Sequence, residues 1–451
     1  MRFALPRTSR AALVLAALAL AACGSDGPTQ PPDPPPTPTP PAQTPQQWLK
    51  ANAHPIATLS ITSDFRDLEP LRAAIGGARV VMLGEQSHGD GTTFLAKARL
   101  IAFLHQQMGF DVLAWESGIY DVHGVWRHIQ AGENVLQASR RGIFGIWTRS
   151  EQVLPTLDYV ASTVGTARPL EMAGFDNQLT GSLARDSVAA HIHAFARRIG
   201  SRAADDAEWP AVAATLTELA VTAHYQVKPS AADQERVLRV MAALRADAAA
   251  YAPASRDVLF WRQALASIES FARMMWAAPA GQSRPQDNNP RDAQMGANLV
   301  WLANVYYPGR KIIVWAASSH IARDTEILAS PTGGRPYATG WTVHMGAEAY
   351  RVLGPDMYAI GFTAGAGRSG LPGGFAGQLP AMMPGSLEEL FARTGHEYAF
   401  VDFRNRPAGG DWLKNAFTRP FGYQDLGGDW TRVLDGMIYT GEMVPSTPAS
   451  R

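Results

Sequence analysis

The chain runs to 451 residues, with 40 basic and 40 acidic side chains, 46% hydrophobic residues and a single cysteine. A charge balance this even argues against a nucleic-acid partner. One cysteine excludes an internal disulfide, so the folded part must rely on its own apolar core, and the length allows one large domain or two of ordinary size.

Arg2, Arg7 and Arg10 precede an apolar run over residues 11–22 that closes on Leu20-Ala21-Ala22-Cys23. The run is too short to cross a bilayer. A charged start, an apolar middle and small residues at the end describe a signal peptide, here residues 1–22, with a lipobox-like end. Cys23 stands where lipidation requires a cysteine, and acyl chains contributing about 0.8 kcal/mol per buried methylene would anchor the protein to a membrane without spanning it. Cleavage there removes three basic side chains and no acidic one, which leaves 37 against 40. Residues 23–45 join that cysteine to a proline-dominated spacer, as in Pro31-Pro32-Asp33-Pro34-Pro35-Pro36. Proline fixes φ and lacks the amide donor, so an extended linker is expected. The expected location is the cell envelope, lipid-anchored and outside the cytoplasm; Gly24-Ser25 after the cysteine resembles lipoproteins of the Gram-negative outer membrane.

Residues 46–451 read as the catalytic domain. Arg79-Val80-Val81-Met82-Leu83-Gly84 is a short continuous apolar run, as expected of a strand buried on both faces. Helical spacing follows over residues 92–107, with Gly109 as the stop, and then a second strand, Phe110-Asp111-Val112-Leu113-Ala114-Trp115. Strand, helix and strand at this spacing predict a βαβ unit with parallel strands. Similar runs recur at residues 169–173, 311–317, 357–362 and 398–403. Between the third and fourth strands, residues 181–285 are rich in alanine and helical in period. Val237, Val240, Met241, Leu244, Ala248 and Tyr251 form one stripe after Ser230, a candidate N-cap, and predict a packed core face. A further helix is predicted from Asn289-Pro290 to about residue 304. The fold class is therefore α/β, a mainly parallel sheet flanked by helices, with a largely helical cap or insert at about residues 181–285.

In open parallel sheets ligands bind beyond the carboxyl ends of the strands. There stand Gly84-Glu85-Gln86-Ser87-His88-Gly89, Glu116-Ser117-Gly118, Gly174-Phe175-Asp176-Asn177-Gln178 and Ser318-Ser319-His320-Ile321-Ala322-Arg323. Singly, each has a bland explanation: Glu85 could cap the next helix, and a lone histidine is most often structural. Two histidines, two glutamates and an aspartate on one rim make a site the better explanation. A histidine of pKa about 6.5 can take a proton from water, while a carboxylate on its other nitrogen fixes the tautomer. His320, Arg291 or backbone amides near Gly89 would polarise the developing oxyanion. There is no G-x-S-x-G elbow, the cysteine is committed to the N-terminus, and Ser87 and Ser319 are weak nucleophile candidates, which argues against an acyl-enzyme. His191 and His193 face different directions on a helix; His123 and His128, on the helix after Glu116, could line the cleft but read better as packing or surface residues. Gly365-Ala366-Gly367-Arg368-Ser369-Gly370 matches a dinucleotide fingerprint by letters but runs into Leu371-Pro372-Gly373-Gly374 instead of a helix, so no cofactor is expected.

These blocks, with Arg291-Asp292-Ala293-Gln294-Met295-Gly296-Ala297-Asn298 and Trp315-Ala316-Ala317 ahead of Ser318, resemble the successive motifs of the erythromycin esterase family, in order and over about residues 46–405. The resemblance implies hydrolysis of a macrolide's lactone ester, a small-molecule substrate, without a required metal. It makes His88 the general base, Glu85 and Glu116 its acidic neighbours and His320 the second active-site histidine, with Lys97, Asp176 and Arg291 in support. Lys97 stands where the family more often has arginine, losing the planar fork, and Ser318-Ser319 replace a more usual amide residue. Two other readings stay open from the residues alone: a metal-dependent hydrolase or peptidase with His88, His320, Glu85 and Glu116 as ligands, or a binding lipoprotein without turnover.

Overall fold

Val80–Leu83 is fully buried at every position and forms the middle of the sheet, as its uninterrupted apolar run predicts. The computed structural model describes residues 43–451 apart from 62–63, 180, 222–227, 278–283 and 334–339. The expected signal peptide, Cys23 and all but the end of the proline-rich segment lie outside them. Where description begins, helix has already replaced the spacer: Thr44 caps Pro45–Asn52 through a capping box with Gln47, and Pro45 occupies the first turn, where its missing amide costs nothing.

The strands in chain order are β1 (His54–Pro55), β2 (Val80–Leu83), β3 (Phe110–Gly118), β4 (Glu171–Asp176), β5 (Lys311–Trp315), β6 (Met357–Ser369), β7 (Gly377–Gln378), β8 (Tyr398–Asp402), β9 (Ala416–Thr418), β10 (Leu426–Gly428) and β11 (Gly436–Met443). The main sheet has the order β1-β8-β11-β6-β2-β5-β3-β4, with β7 attached to β6 and β9 paired to β10 as a separate ribbon. From β11 to β4 every neighbouring pair is parallel; β8 and β1 add an antiparallel edge. The first two predicted strands, β2 and β3, are parallel, but β5 lies between them. The helix joining them, Gly91–Met108, ends at Gly109 in the left-handed conformation (φ 76°).

Side chains alternate across the sheet with the two-residue strand period. Val80, Met82, Val112, Ala114, Ile312 and Val314 enter one core; Val81, Leu83, Leu113, Trp115, Ile313 and Trp315 enter the other. The Ala-rich region forms the helices Ser182–Arg198, Trp209–Val221, Ala231–Ala250 and Arg256–Ala277. Apart from Leu183, which enters the second core, they bury their apolar residues in the first, and residues 43–451 make one compact unit, so the region is a helical insert sharing the sheet's core. Within it Ser230 caps its helix, and Val237, Val240, Met241, Leu244 and Ala248 are buried with Tyr251 packed against them. The next helix, Asn288–Trp301, has Pro290 in its first turn and continues as a π-helical segment, Leu302–Tyr306. No described helix is long and apolar enough to cross a membrane.

Strands β1, β7, β9, β10 and β11 escape the sequence reading. Strand β11 has only Met437-Ile438-Tyr439 as an apolar run before Thr440-Gly441, too little to stand out. The glycine-rich letters after Phe362 continue β6, whose strand runs to Ser369, which explains why they carry no nucleotide loop. Because Met241 is wholly buried, Met241→Ala is expected to cost about 2–5 kcal/mol in chemical denaturation. Arg239→Ala, on the same helix's exposed face, should cost less. Equal losses would contradict the core assignment of this stripe.

Candidate active site

Glu85 follows β2 and is held by backbone bonds that continue past the strand ends. Ala316 N donates to Leu83 O at 3.1 Å, and Ser318 N donates to Glu85 O at 2.8 Å. Gly84 is required for that approach: a Cβ there would lie 2.4 Å from Ser318 Oγ and 3.1 Å from Ser318 Cα. The loop is further fixed by Asp90, whose Oδ2 accepts the Ser87 N–H at 2.8 Å. Burial pushes the Asp90 carboxyl up to about 7 against the hydrogen bonds offered by its neighbours.

The Glu85 carboxylate is fully buried and serves three donors. Lys97, from Gly91–Met108, donates to Oε2 at 2.5 Å, and Trp147 Nε1 donates to Oε1 at 3.1 Å. The same Oε1 is 2.8 Å from His88 Nδ1. Lys97 also donates to Ala316 O at 3.1 Å and stands 4.4 Å above the Trp315 ring. Burial lowers the lysine's pKa, opposed by Glu85. His88 is closely surrounded, with its ring edge-on to Trp147 at 5.5 Å, yet 38% of its side chain remains accessible. Burial alone would lower its pKa; the hydrogen bond and charge of Glu85, with the charge of Glu116, outweigh this and hold it above 6.5.

A second cluster faces the first. Arg291, on Asn288–Trp301, donates through Nη2 to Asp176 Oδ2 at 2.6 Å and to Glu116 Oε1 at 3.0 Å, and through Nε to Asp176 Oδ1 at 3.2 Å. Glu116, at the end of β3, takes the Ala317 N–H on its other oxygen at 2.8 Å. His320 lies on the short helix Ser318–Ile321, with Nδ1 2.8 Å from Asp292 Oδ1 and Nε2 3.3 Å from Glu116 Oε1. The Met345 N–H, donating at 2.9 Å, fixes that Asp292 oxygen. Burial opposes charge on His320, but Asp292 and Glu116 outweigh it and push the imidazole up to about 10. Burial likewise opposes ionisation of Glu116, whereas His320, Arg291 and His88 hold it far below the usual carboxylate range. Arg291 remains charged because Asp176 and Glu116 more than offset its desolvation.

The structure thus brings together His88, Glu85, Lys97, Glu116, Asp176, Arg291 and His320. Glu85 bonds His88 and does not cap the following helix. Gly89 N–H donates to Ser87 Oγ at 3.2 Å, so that one amide of the loop is engaged. Sequence reasoning missed Asp292 and Trp147. Asp292 follows Arg291 within a recognised block, but adjacent helical residues point about 100° apart, so shared use of the site was not apparent. Nothing in the sequence singles out Trp147. His191 and His193 meet different partners, Tyr120 OH and Ala204 O, as their spacing predicts. Among the described residues no three His, Cys, Asp or Glu side chains are grouped to hold a metal ion.

The erythromycin esterase family model matches residues 105–439. YbfO of Bacillus subtilis (strain 168), a hydrolase by name, is 23% identical over 418 residues, covering 88% of this chain and 91% of its own length. The type II erythromycin esterase of Escherichia coli is 22% identical over 387 residues, covering 80% of this chain and 89% of its own. Among solved structures, a mutant of erythromycin esterase EreC in its open conformation aligns with a TM-score of 0.63 at 17% identity, over 85% of this chain and 95% of that one. The chain belongs to the erythromycin esterase family and, with it, to the hydrolases.

Proposed function

We propose that the chain is an esterase or lactonase in which His88 activates water as general base, His320 and Arg291 stabilise the oxyanion, and no metal is required. The observation that carries this reading is the contrast between the two imidazoles. His88 is tied at Nδ1 to a carboxylate already paired with Lys97, and its side chain is 38% accessible. His320 is 5% exposed, set between two carboxylates and cationic. In the reaction water attacks the ester carbonyl carbon while His88 Nε2 takes its proton, and Glu85 stabilises the imidazolium through Nδ1–H. The tetrahedral oxyanion forms against the His320 and Arg291 cations. On collapse the C–O bond to the leaving group breaks and His88 returns the proton to the departing alkoxide, giving a carboxylic acid and an alcohol.

This reading is favoured over metal ligation because the carboxylates a metal would need are engaged: Glu85 by Lys97 and Trp147, Glu116 by Arg291 and the Ala317 amide. The family's name points to a macrolide lactone as the first substrate to try. We further propose that the enzyme works outside the cytoplasm, held to the cell envelope by lipid on Cys23, where it meets esters that never enter the cell.

Hydrolysis of a panel of macrolides and simple esters should fall about 10²–10⁴-fold in His88→Ala, and wild-type turnover should survive chelation. Undiminished turnover in His88→Ala removes the proposed base, chelator-sensitive turnover favours the metal reading, and ligand binding without product favours a binding protein. The pH profile of kcat/KM should be bell-shaped. Activity rises as His88 loses its proton above its ordinary pKa of 6.5, and declines as His320 loses its charge near 10. A flat profile through the alkaline range would argue against a cationic His320. Cys23→Ser should abolish incorporation of labelled fatty acid and release the protein from membranes; retained label would refute the anchor.

A further inference from the structure

A second cavity lies apart from the histidine cluster, along the outer edge of β4. It encloses about 580 Å³ between β4, the helix Ile119–Gln130, the start of Arg256–Ala277 and the π-helical segment Leu302–Tyr306. A neighbouring cavity of about 480 Å³ shares His123, Arg127 and Phe260 with it, and neither is lined by His88, His320, Glu85, Glu116 or Arg291. Both volumes fall within the range of pockets that hold small organic ligands, roughly 300–1,000 Å³.

Its lining has the composition of a recognition site. Trp126, Phe260, Trp301 and Tyr306 supply aromatic surface. His123 is stacked on Phe260 with ring centroids 3.7 Å apart and planes at 18°. Neither nitrogen of His123 has a hydrogen-bond partner among the described residues, and burial with the nearby Arg127 and Arg256 charges lowers its pKa to about 3. A neutral imidazole without partners is therefore offered to whatever fills the space. Of the cations on the wall, Arg256 pairs with Glu171 at 3.0 Å and Arg198 pairs with Asp257, whereas Arg127 has no acidic partner among the described residues. The lining carries one unbalanced positive charge beside stacked rings.

The π-helical segment points the same way. Opening a helix to i→i+5 bonding sacrifices regular hydrogen bonds, and such segments recur at functional sites. Here it delivers Leu302 and Tyr306 to the cavity wall, and Arg256 lies 4.1 Å over the Tyr306 ring.

We propose that this cavity is a second ligand site, distinct from the hydrolytic centre, which takes a planar aromatic monoanion of the arylcarboxylate class. Its rings pack against the aromatic wall of Trp126, Phe260, Trp301 and Tyr306, its carboxylate pairs with Arg127, and His123 supplies a neutral hydrogen bond. The assignment stands whether or not His88 is the catalytic base.

The test is calorimetric titration of the full chain with naphthoate, alongside the neutral naphthamide. Naphthoate should bind, and Arg127→Gln should weaken it about tenfold, the loss expected for one charge-assisted hydrogen bond. Naphthamide should bind the wild type about as weakly as naphthoate binds the variant. His88→Ala should bind naphthoate like the wild type, which separates this cavity from the catalytic cleft. Arg127 is exposed and has no acidic partner among the described residues, so its replacement should not disturb folding. The proposal is overturned by no binding at millimolar naphthoate, by equal affinity in Arg127→Gln, or by loss of binding in His88→Ala.

Discussion

Arg291 is the constraint on which the geometry of the strand ends depends. It is 12% exposed and sits between Asp176, which is wholly buried, and Glu116 at 2%. Two carboxylates this close, carried by adjacent parallel strands, could not both remain ionised without a cation between them. Breaking a buried pair by removing one partner costs about 3–5 kcal/mol because the remaining charge is left bare. A guanidinium suits the position because its planar fork grips Asp176 through Nε and Nη2 while Nη2 also reaches Glu116. The next residue on the helix, Asp292, then orients His320, so one helical turn fixes both halves of the second cluster.

The other half of the site meets the same problem with lysine. Lys97 sends a point charge to Glu85 Oε2 and a second bond to the Ala316 carbonyl, leaving Oε1 for His88 and Trp147. A lysine here supplies the balancing charge without the bidentate grip an arginine would give. The lysine charge also faces the Trp315 ring, which itself stacks on Trp115 at 4.7 Å. The floor of the site is thus built from the last inward-facing aromatic residues of β3 and β5, paired in register across the sheet.

Those strands were legible in the sequence because burial on both faces leaves an uninterrupted apolar run, as in Val80-Val81-Met82-Leu83. The rim residues were legible because strand ends in a parallel sheet share one edge. What was not legible follows from the same physics. Strand order depends on crossovers, so nothing local placed β5 between β2 and β3. Strand β11 lacks a long apolar run because Thr440 and Gly441 interrupt it. Trp147 reaches Glu85 from a short helix, Gly145–Thr148, with no pattern of its own. Asp292 was hidden by its neighbour, since the charged residue recognised in that block was Arg291.

The two histidines show how one residue type is divided into two states by its surroundings. His88 and His320 each have a carboxylate 2.8 Å from Nδ1. The difference lies beyond that bond. Lys97 offsets the charge of the carboxylate on His88, whose pKa lies above its ordinary value because Glu85 and Glu116 outweigh burial. Asp292 meets no lysine among the described residues, and Glu116 lies 3.3 Å from the opposite nitrogen; the two carboxylates outweigh burial and the charge of Arg291, whose Nη1 is 3.2 Å from Nε2, and push the imidazole up to about 10. With both imidazoles neutral the site would have a base but only Arg291 to meet the oxyanion; with both charged it would have no base. In the mechanism proposed above, the asymmetric arrangement of one lysine and one arginine among four carboxylates is what separates the base from the imidazolium.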